Sequence, residues 1–355
     1  MSRIVLIICL FFSFTSFAKS SSDTHLIDEM LTTVQNKYIE NINLNEIVLT
    51  GLNAFNDLDH NIVVSKGNDK IYLYYNKQIK KIIPIPKDNN DLSGWIEATI
   101  KAIDYATEIS DAISMRDFEI PDLMMKKITK SLDKYSAYYS EYDYYDTEQE
   151  NSIYTLFSSR KIDDYLYLRM RIFNKQSANQ VTTAINQNPK IKGIILDLRG
   201  NSGGMFNEAL KIANLFTSSE IITYTAGRDK DNIHYYTSEE DVLYDGPLVI
   251  IVDGDTASAA EVLAAGMQDQ TRAKIVGTKT FGKGTIQSII KMSNGGRLVL
   301  TTEQFFTPSG KEIHNIGVVP DVCTSLDNNG LCRQESRLRE EKDLEEAINL
   351  IKNEF

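Results

Sequence analysis

Ser258 and Lys283 are the residues whose types point to chemistry, 25 positions apart with no histidine between them. A serine hydroxyl is a weak nucleophile until a neighbouring base takes its proton, and a desolvated lysine can be that base. Ser258 lies in Asp255-Thr-Ala-Ser-Ala-Ala-Glu261, just past the apolar run Leu248-Val-Ile-Ile-Val252 and at the start of a small-residue helical stretch. A helix start there lends an oxyanion partial positive charge and free N–H groups, one of them from Ala259. Lys283 stands between Gly282 and Gly284, which allow close backbone approach. To act as a base near neutral pH, its pKa of about 10.4 must fall by several units, which burial without a carboxylate partner achieves. Gln287 shares a face with Lys283 in an extended segment and can orient the amine without adding charge. Taken singly, the serine reads as a helix-packing residue and the lysine as a surface residue. Their combination points elsewhere.

A third element is Leu198-Arg-Gly-Asn-Ser-Gly-Gly204, between a buried strand and a helix. A glycine pair at such a turn lets backbone amides face inward, so Gly203 or Gly204 can supply the second half of an oxyanion hole. No P-loop lysine follows, which separates this turn from a phosphate loop.

These residues need elements to position them. From Lys161 the pattern alternates: a strand over 165–172, a helix over 177–187, a strand over 194–198 and a helix over 208–216. A strand over 248–252, a helix over 259–268 and a strand over 274–276 follow. That order predicts an α/β layered core with active groups at the C-terminal ends of strands. Segments 284–292 and 297–306 read as a hairpin across Asn294-Gly-Gly296, and 335–352 as a charged amphipathic helix. The stretch 24–150 is mainly helical, with a hairpin between Lys70 and Ile85 and a tyrosine-rich acidic run from Tyr135 to Glu150. That run reads as a connector rather than a peptide-binding surface. The expected organisation is a signal at 1–18, a mainly helical region at 19–150, the α/β core at 151–325 and a terminal helix at 326–355.

With 355 residues, 42% apolar and 25% charged, the chain can bury a substantial core. A formal charge of -11 argues against nucleic acid as the main partner. The four histidines, His25, His60, His234 and His314, lie far apart and match no metal spacing, so no metal or other cofactor is expected. At the N-terminus, Arg3, the apolar run 4–12 and small residues at Ser16 and Ala18 read as an export signal cut after Ala18. No later run is long enough to span a membrane. Cleavage removes Cys9 and leaves Cys323 and Cys332, separated by eight residues that include Asn328-Asn-Gly330. An oxidising compartment permits a disulfide between them; two free thiols are the alternative.

Several linked segments together carry a family resemblance. They are Ile194-Ile-Leu-Asp-Leu-Arg-Gly-Asn-Ser-Gly-Gly204, Thr256-Ala-Ser-Ala-Ala-Glu261, Gly277-Thr-Lys-Thr-Phe-Gly-Lys-Gly-Thr-Ile-Gln287, Thr307-Pro-Ser-Gly310 and Ile316-Gly-Val-Val-Pro-Asp321. Over 165–325 the chain resembles the carboxyl-terminal processing (tail-specific) peptidases, Ser/Lys endopeptidases with a crotonase-like and Clp protease-like α/β core. Leu132-Asp-Lys-Tyr-Ser136 is similar to the family's short motif before its peptide-binding module. The resemblance implies Ser258 as nucleophile, Lys283 as general base and Gln287 as its orienting partner. Ala259 and either Gly203 or Gly204 would be the oxyanion donors. It further implies polypeptide substrates and an acyl-enzyme and, with the export signal, the periplasm of a Gram-negative bacterium; a homo-oligomer is one open assembly state.

One departure stands out: Ser136 and Tyr165 are too close to hold the family's usual PDZ domain. Tail specificity therefore does not transfer, and 24–150 is left as the region to supply substrate recognition or dimerisation. Competing readings are a non-proteolytic scaffold of the same fold, a small-molecule acyl hydrolase using the same dyad, and, least supported, a Ser-His-Asp hydrolase using His314.

Overall fold

The computed structural model describes residues 21–143, 156–218, 221–229, 233–238, 241–338 and 341–353. The expected export signal and the tyrosine-rich run beyond residue 143 lie outside them. The described residues fall into two compact units: 21–36, 42–143 and 290–298 form the first, and the remainder the second.

The first unit opens with α1 (Ser21–Lys37), α2 (Leu44–Leu52) and α3 (Ala54–Leu58). Leu26, Met30, Leu31 and Val34 recur at helical spacing on α1, and all are buried. The apolar pattern from Ile47 to Phe55 spans two helices rather than one, because the chain breaks at Asn53. The expected hairpin is a three-stranded antiparallel sheet, with β1 (Ile62–Lys66) added outside β2 (Lys70–Tyr75) and β3 (Gln78–Pro84). Strand β1 carries little sequence signal, because its single short apolar run ends in Ser65-Lys66 and shows too little alternation. Next come α4 (Leu92–Ile109), α5 (Asp111–Ser114) and α6 (Ile120–Leu132). Asp91 caps α4 by accepting the Gly94 N–H at 3.0 Å. After α6 the Asp133 carboxylate accepts the N–H groups of Tyr135 and Ser136 at 2.6 and 2.7 Å and the Ser136 hydroxyl at 2.8 Å. That local turn leads into β4 (Ala137–Tyr139).

The second unit is built on a six-stranded sheet. Its strands are β5 (Phe157–Ile162), β6 (Tyr165–Met170), β7 (Gly193–Asp197), β10 (Leu248–Val252), β11 (Lys274–Gly277) and β14 (Val322–Cys323). The order is β14-β11-β10-β7-β6-β5, parallel throughout except for the antiparallel β5 at one edge. Alternate side chains go to opposite faces, and both faces are apolar. Leu196, Ile250 and Ile275 enter the core beneath α7 (Ser177–Asn186), α8 (Phe206–Phe216) and α9 (Ala259–Asp269). Ile195, Val249, Ile251 and Val276 meet Ala347, Leu350 and Ile351 of α10 (Glu341–Asn353) on the other face. A smaller sheet runs β12-β13-β8-β9, formed by β12 (Thr285–Lys291), β13 (Arg297–Phe306), β8 (Thr223–Ala226) and β9 (Ile233–Tyr236). Cys323 and Cys332 are joined in a disulfide. No helix among the described residues is long and apolar enough to cross a membrane.

Candidate active site

Three chain segments leave the C-terminal ends of the adjacent parallel strands β7, β10 and β11. They carry, in turn, Gly203-Gly204, Ser258 and Lys283. The strand ends are level, since Asp197 pairs with Ile251 and Gly277 with Val252. Loops from three neighbouring strands therefore converge at one end of the sheet.

The first loop is turned by a buried ion pair. Asp197 accepts Nε and Nη2 of Arg199 at 3.0 and 2.6 Å, the Arg199 N–H at 3.0 Å and the Tyr167 hydroxyl at 2.6 Å. Burial and the Asp197 charge push the Tyr167 phenol up to about 12. Arg199 is thus a structural clamp on the turn. Asn201, fully buried, ties the loop to its neighbours: its Nδ2 donates to Met170 O at 3.1 Å and its carbonyl accepts the Ala257 N–H at 2.9 Å. Its Oδ1 accepts the Gly203 N–H at 2.8 Å, so that amide is already committed. The Gly203 carbonyl accepts the Phe173 N–H at 2.7 Å. Across a trans peptide the next N–H points the opposite way, so the Gly204 N–H faces away from Phe173 and has no acceptor among the described residues. Gly203 itself packs on the serine: a Cβ there would sit 2.8 Å from Ser258 Cβ and 3.1 Å from the Ala259 nitrogen.

Ser258 caps the N-terminus of α9 with φ 56° and ψ −126°, a backbone conformation rare for any residue with a Cβ. Such a strained strand-to-helix turn projects a side chain outward from the sheet. The preceding loop supports it through the Thr256 hydroxyl, which donates to Leu198 O at 3.0 Å. The Ala259 N–H, first in the helix, has no acceptor among the described residues.

Glu261, fully buried one turn into α9, joins the second loop to the third. Its Oε2 accepts the backbone N–H of both Ser258 and Lys283, at 2.9 and 2.8 Å. Its Oε1 accepts the Gly282 N–H at 2.6 Å and the Thr280 hydroxyl at 2.5 Å. One oxygen therefore holds the Ser258 and Lys283 backbones within two hydrogen bonds of each other. Burial raises the Glu261 carboxyl above its ordinary value, and these four donors oppose that rise. The sequence signal for this role is the Ser-x-x-Glu spacing of a capping box, Ser258 to Glu261.

Lys283 is half-buried, and burial lowers its pKa below the ordinary lysine value. Gln287 stands on β12, and its Nε2 donates to the hydroxyls of Thr285 and Thr301 at 3.1 and 3.2 Å. Its donors are thus placed on β12 and β13, which leaves its carbonyl oxygen as the group able to face an amine. His314 lies with its backbone against Gly284.

A model of peptidase family S41 matches residues 164–324. The carboxy-terminal-processing protease of Bartonella bacilliformis is 36% identical over 166 residues, 45% of this chain and 38% of that protein. The carboxyl-terminal-processing protease of a Synechocystis species is 38% identical over 157 residues, 44% of this chain and 36% of that protein. The matches thus span well under half the length of these relatives. Among solved structures, a photosystem II D1 C-terminal processing protease covers 88% of this chain and 97% of its own length, with a TM-score of 0.56 and 16% identity. A lipoprotein from Streptococcus agalactiae covers the full length of both chains, with a TM-score of 0.59 and 16% identity. The structural likeness speaks to fold and the sequence matches to family. Residues 164–324 therefore match peptidase family S41, resembling carboxyl-terminal-processing proteases in sequence and crotonase- and Clp protease-like peptidases in the fold of the core.

Proposed function

We propose that the chain is an exported serine endopeptidase with a Ser258/Lys283 dyad, cleaving unfolded or C-terminal segments of envelope proteins through an acyl-enzyme. The observation that carries this reading is the shared Glu261 oxygen, which draws the Ser258 and Lys283 backbones together at the C-terminal end of the sheet. The neutral Lys283 amine takes the proton from Ser258 Oγ as that oxygen attacks the peptide carbonyl carbon. Negative charge developing on the carbonyl oxygen is received by the N–H groups of Ala259 and Gly204, neither of which has an acceptor among the described residues. Collapse of the tetrahedral species breaks the C–N bond, and Lys283 returns the proton to the leaving amine. Water then attacks the ester with Lys283 again as base, releasing the new carboxyl end and restoring Ser258. Gln287 orients the amine through its carbonyl oxygen.

The test is hydrolysis of an unfolded protein by the unmodified chain and by Ser258→Ala and Lys283→Ala variants. Each variant should lose about 10³-fold or more in kcat. Cleavage surviving either substitution would remove the dyad. Absence of cleavage by the unmodified chain across a broad panel would favour a scaffold of the same fold.

A further inference from the structure

Residues 333–338 run across the C-terminal ends of four strands in the order β11, β10, β7, β6, bonding to each loop in passing. The Arg333 carbonyl accepts the Lys279 N–H at 2.8 Å, and Gln334 Nε2 donates to Thr280 O and Phe281 O at 2.8 and 2.9 Å. These bonds hold the loop that ends at Lys283. The Glu335 carbonyl accepts the Thr278 hydroxyl at 2.9 Å and the Gly254 N–H at 2.8 Å, linking that loop to the one that carries Ser258. The Arg337 N–H donates to Asp253 Oδ2 at 2.9 Å, and the Arg337 carbonyl accepts Arg199 Nη1 at 3.2 Å. The Leu338 carbonyl accepts Arg169 Nη2 at 3.0 Å. A single extended segment therefore contacts all three site loops.

The far end of this strap is secured by Arg337 against the buried carboxylate of Asp343 in α10. The near end enters from residues 324–331, which bury little apolar surface: Leu326 and Leu331 are 53% and 66% exposed. Beyond the Leu326–Cys332 bridge and the Arg333 N–H donated to Ser325 O at 2.9 Å, the covalent link at the near end is the Cys323–Cys332 bond, which fastens it to β14 beside β11.

We propose that residues 333–338 are a positioning strap for the dyad reaction and that the Cys323–Cys332 disulfide is its clasp, so that full activity requires the oxidised form. This rests on the dyad reading above. Closing the clasp joins the two Sγ atoms: both thiol protons leave, and two electrons pass to an exchanging disulfide that departs as two thiols. A dithiol reductant reverses the step. The near end of the strap is then held only by its hydrogen bonds, and the loops beneath it loosen. Gln334 acts through the Lys283 loop and so is a positioning residue, not a catalytic one.

The experiment reduces the folded, oxidised chain with dithiothreitol and follows both hydrolysis of an unfolded protein and amide hydrogen exchange. Reduction should lower kcat about tenfold or more while KM stays within about twofold. Exchange should speed up in 253–258 and 278–283, while 248–252 stays protected. Gln334→Glu, which removes both donors and leaves the disulfide intact, should lower kcat in the same direction. A Cys323→Ser/Cys332→Ser double variant should reproduce the reduced state. Unchanged kcat on reduction, or faster exchange confined to 323–332, would overturn the proposal. If the oxidised chain hydrolyses nothing, the dyad reading fails, and the exchange arm still decides whether the strap holds the loops.

Discussion

At the scale of single residues, the site depends on a carboxylate that touches no substrate in the proposed reaction. Glu261 spends its four bonds on backbone amides and a threonine hydroxyl, so its work is to hold Ser258 and Lys283 in register. Glu261→Gln replaces one acceptor oxygen with an NH2 group facing donors. We expect a stability loss of about 1.5–3 kcal/mol by urea unfolding. The same variant should lose about 10–100-fold in kcat with little change in KM; a KM effect alone would assign Glu261 to binding. The pH profile supplies a second check. A general base must be neutral, and burial lowers the pKa of Lys283, so kcat/KM should rise with pH through a midpoint below the ordinary value of about 10.4. Activity is lost on the acid side as the amine gains its proton. A midpoint at or above 10.4 would contradict a desolvated base.

At the scale of elements, the level C-terminal ends of β7, β10 and β11 set the spacing of the three loops. Gly277 ends β11 at φ 127°, and a Cβ there would overlap the Val252 carbonyl of the adjacent strand. Gly277→Ala should therefore cost about 1–3 kcal/mol in denaturant unfolding, and it should lower kcat because β11 leads directly to Lys283. Unchanged stability would mean that the two strands can part at no cost. Most of this layer was legible beforehand. Strands β7, β10 and β11 are near-continuous apolar runs bounded by turn residues, which is how a strand buried on both faces reads. Strands β5 and β8 carry no such signal: Phe157–Ile162 is largely exposed and polar, and Thr223–Ala226 is four residues long, too short to show a period.

At the scale of the whole molecule, α10 completes the second unit. It covers the sheet face formed by Ile195, Val249, Ile251 and Val276, and it brings Asp343 to Arg199 and Arg337 at 3.4 and 3.1 Å. The charged amphipathic helix expected over 335–352 starts only at Glu341, because 333–337 run across the sheet instead; its apolar face supplies part of the core and its Asp343 an anchor for the turn leading to Gly203. Asp343→Asn keeps the shape and removes the charge, and should cost about 1.5–3 kcal/mol by urea unfolding. Deleting 341–353 should leave the chain aggregated, since an apolar sheet face is then open to water. A soluble, cooperatively unfolding deletion variant would show that α10 is dispensable.

The sequence by itself determined the layered α/β class, the strands that bear the loops, and the candidate pair Ser258 and Lys283. Those follow from local apolar runs, glycine placement and residue chemistry, which depend only on neighbours along the chain. Tertiary structure alone decided which groups are already engaged. It commits the Gly203 N–H to Asn201 and leaves that of Gly204 open, makes Arg199 a clamp, joins Cys323 to Cys332, and sets one Glu261 oxygen between the Ser258 and Lys283 backbones. Each of these is a hydrogen bond or covalent link whose partner is set by how the chain returns on itself, and no periodicity within a single segment encodes that return.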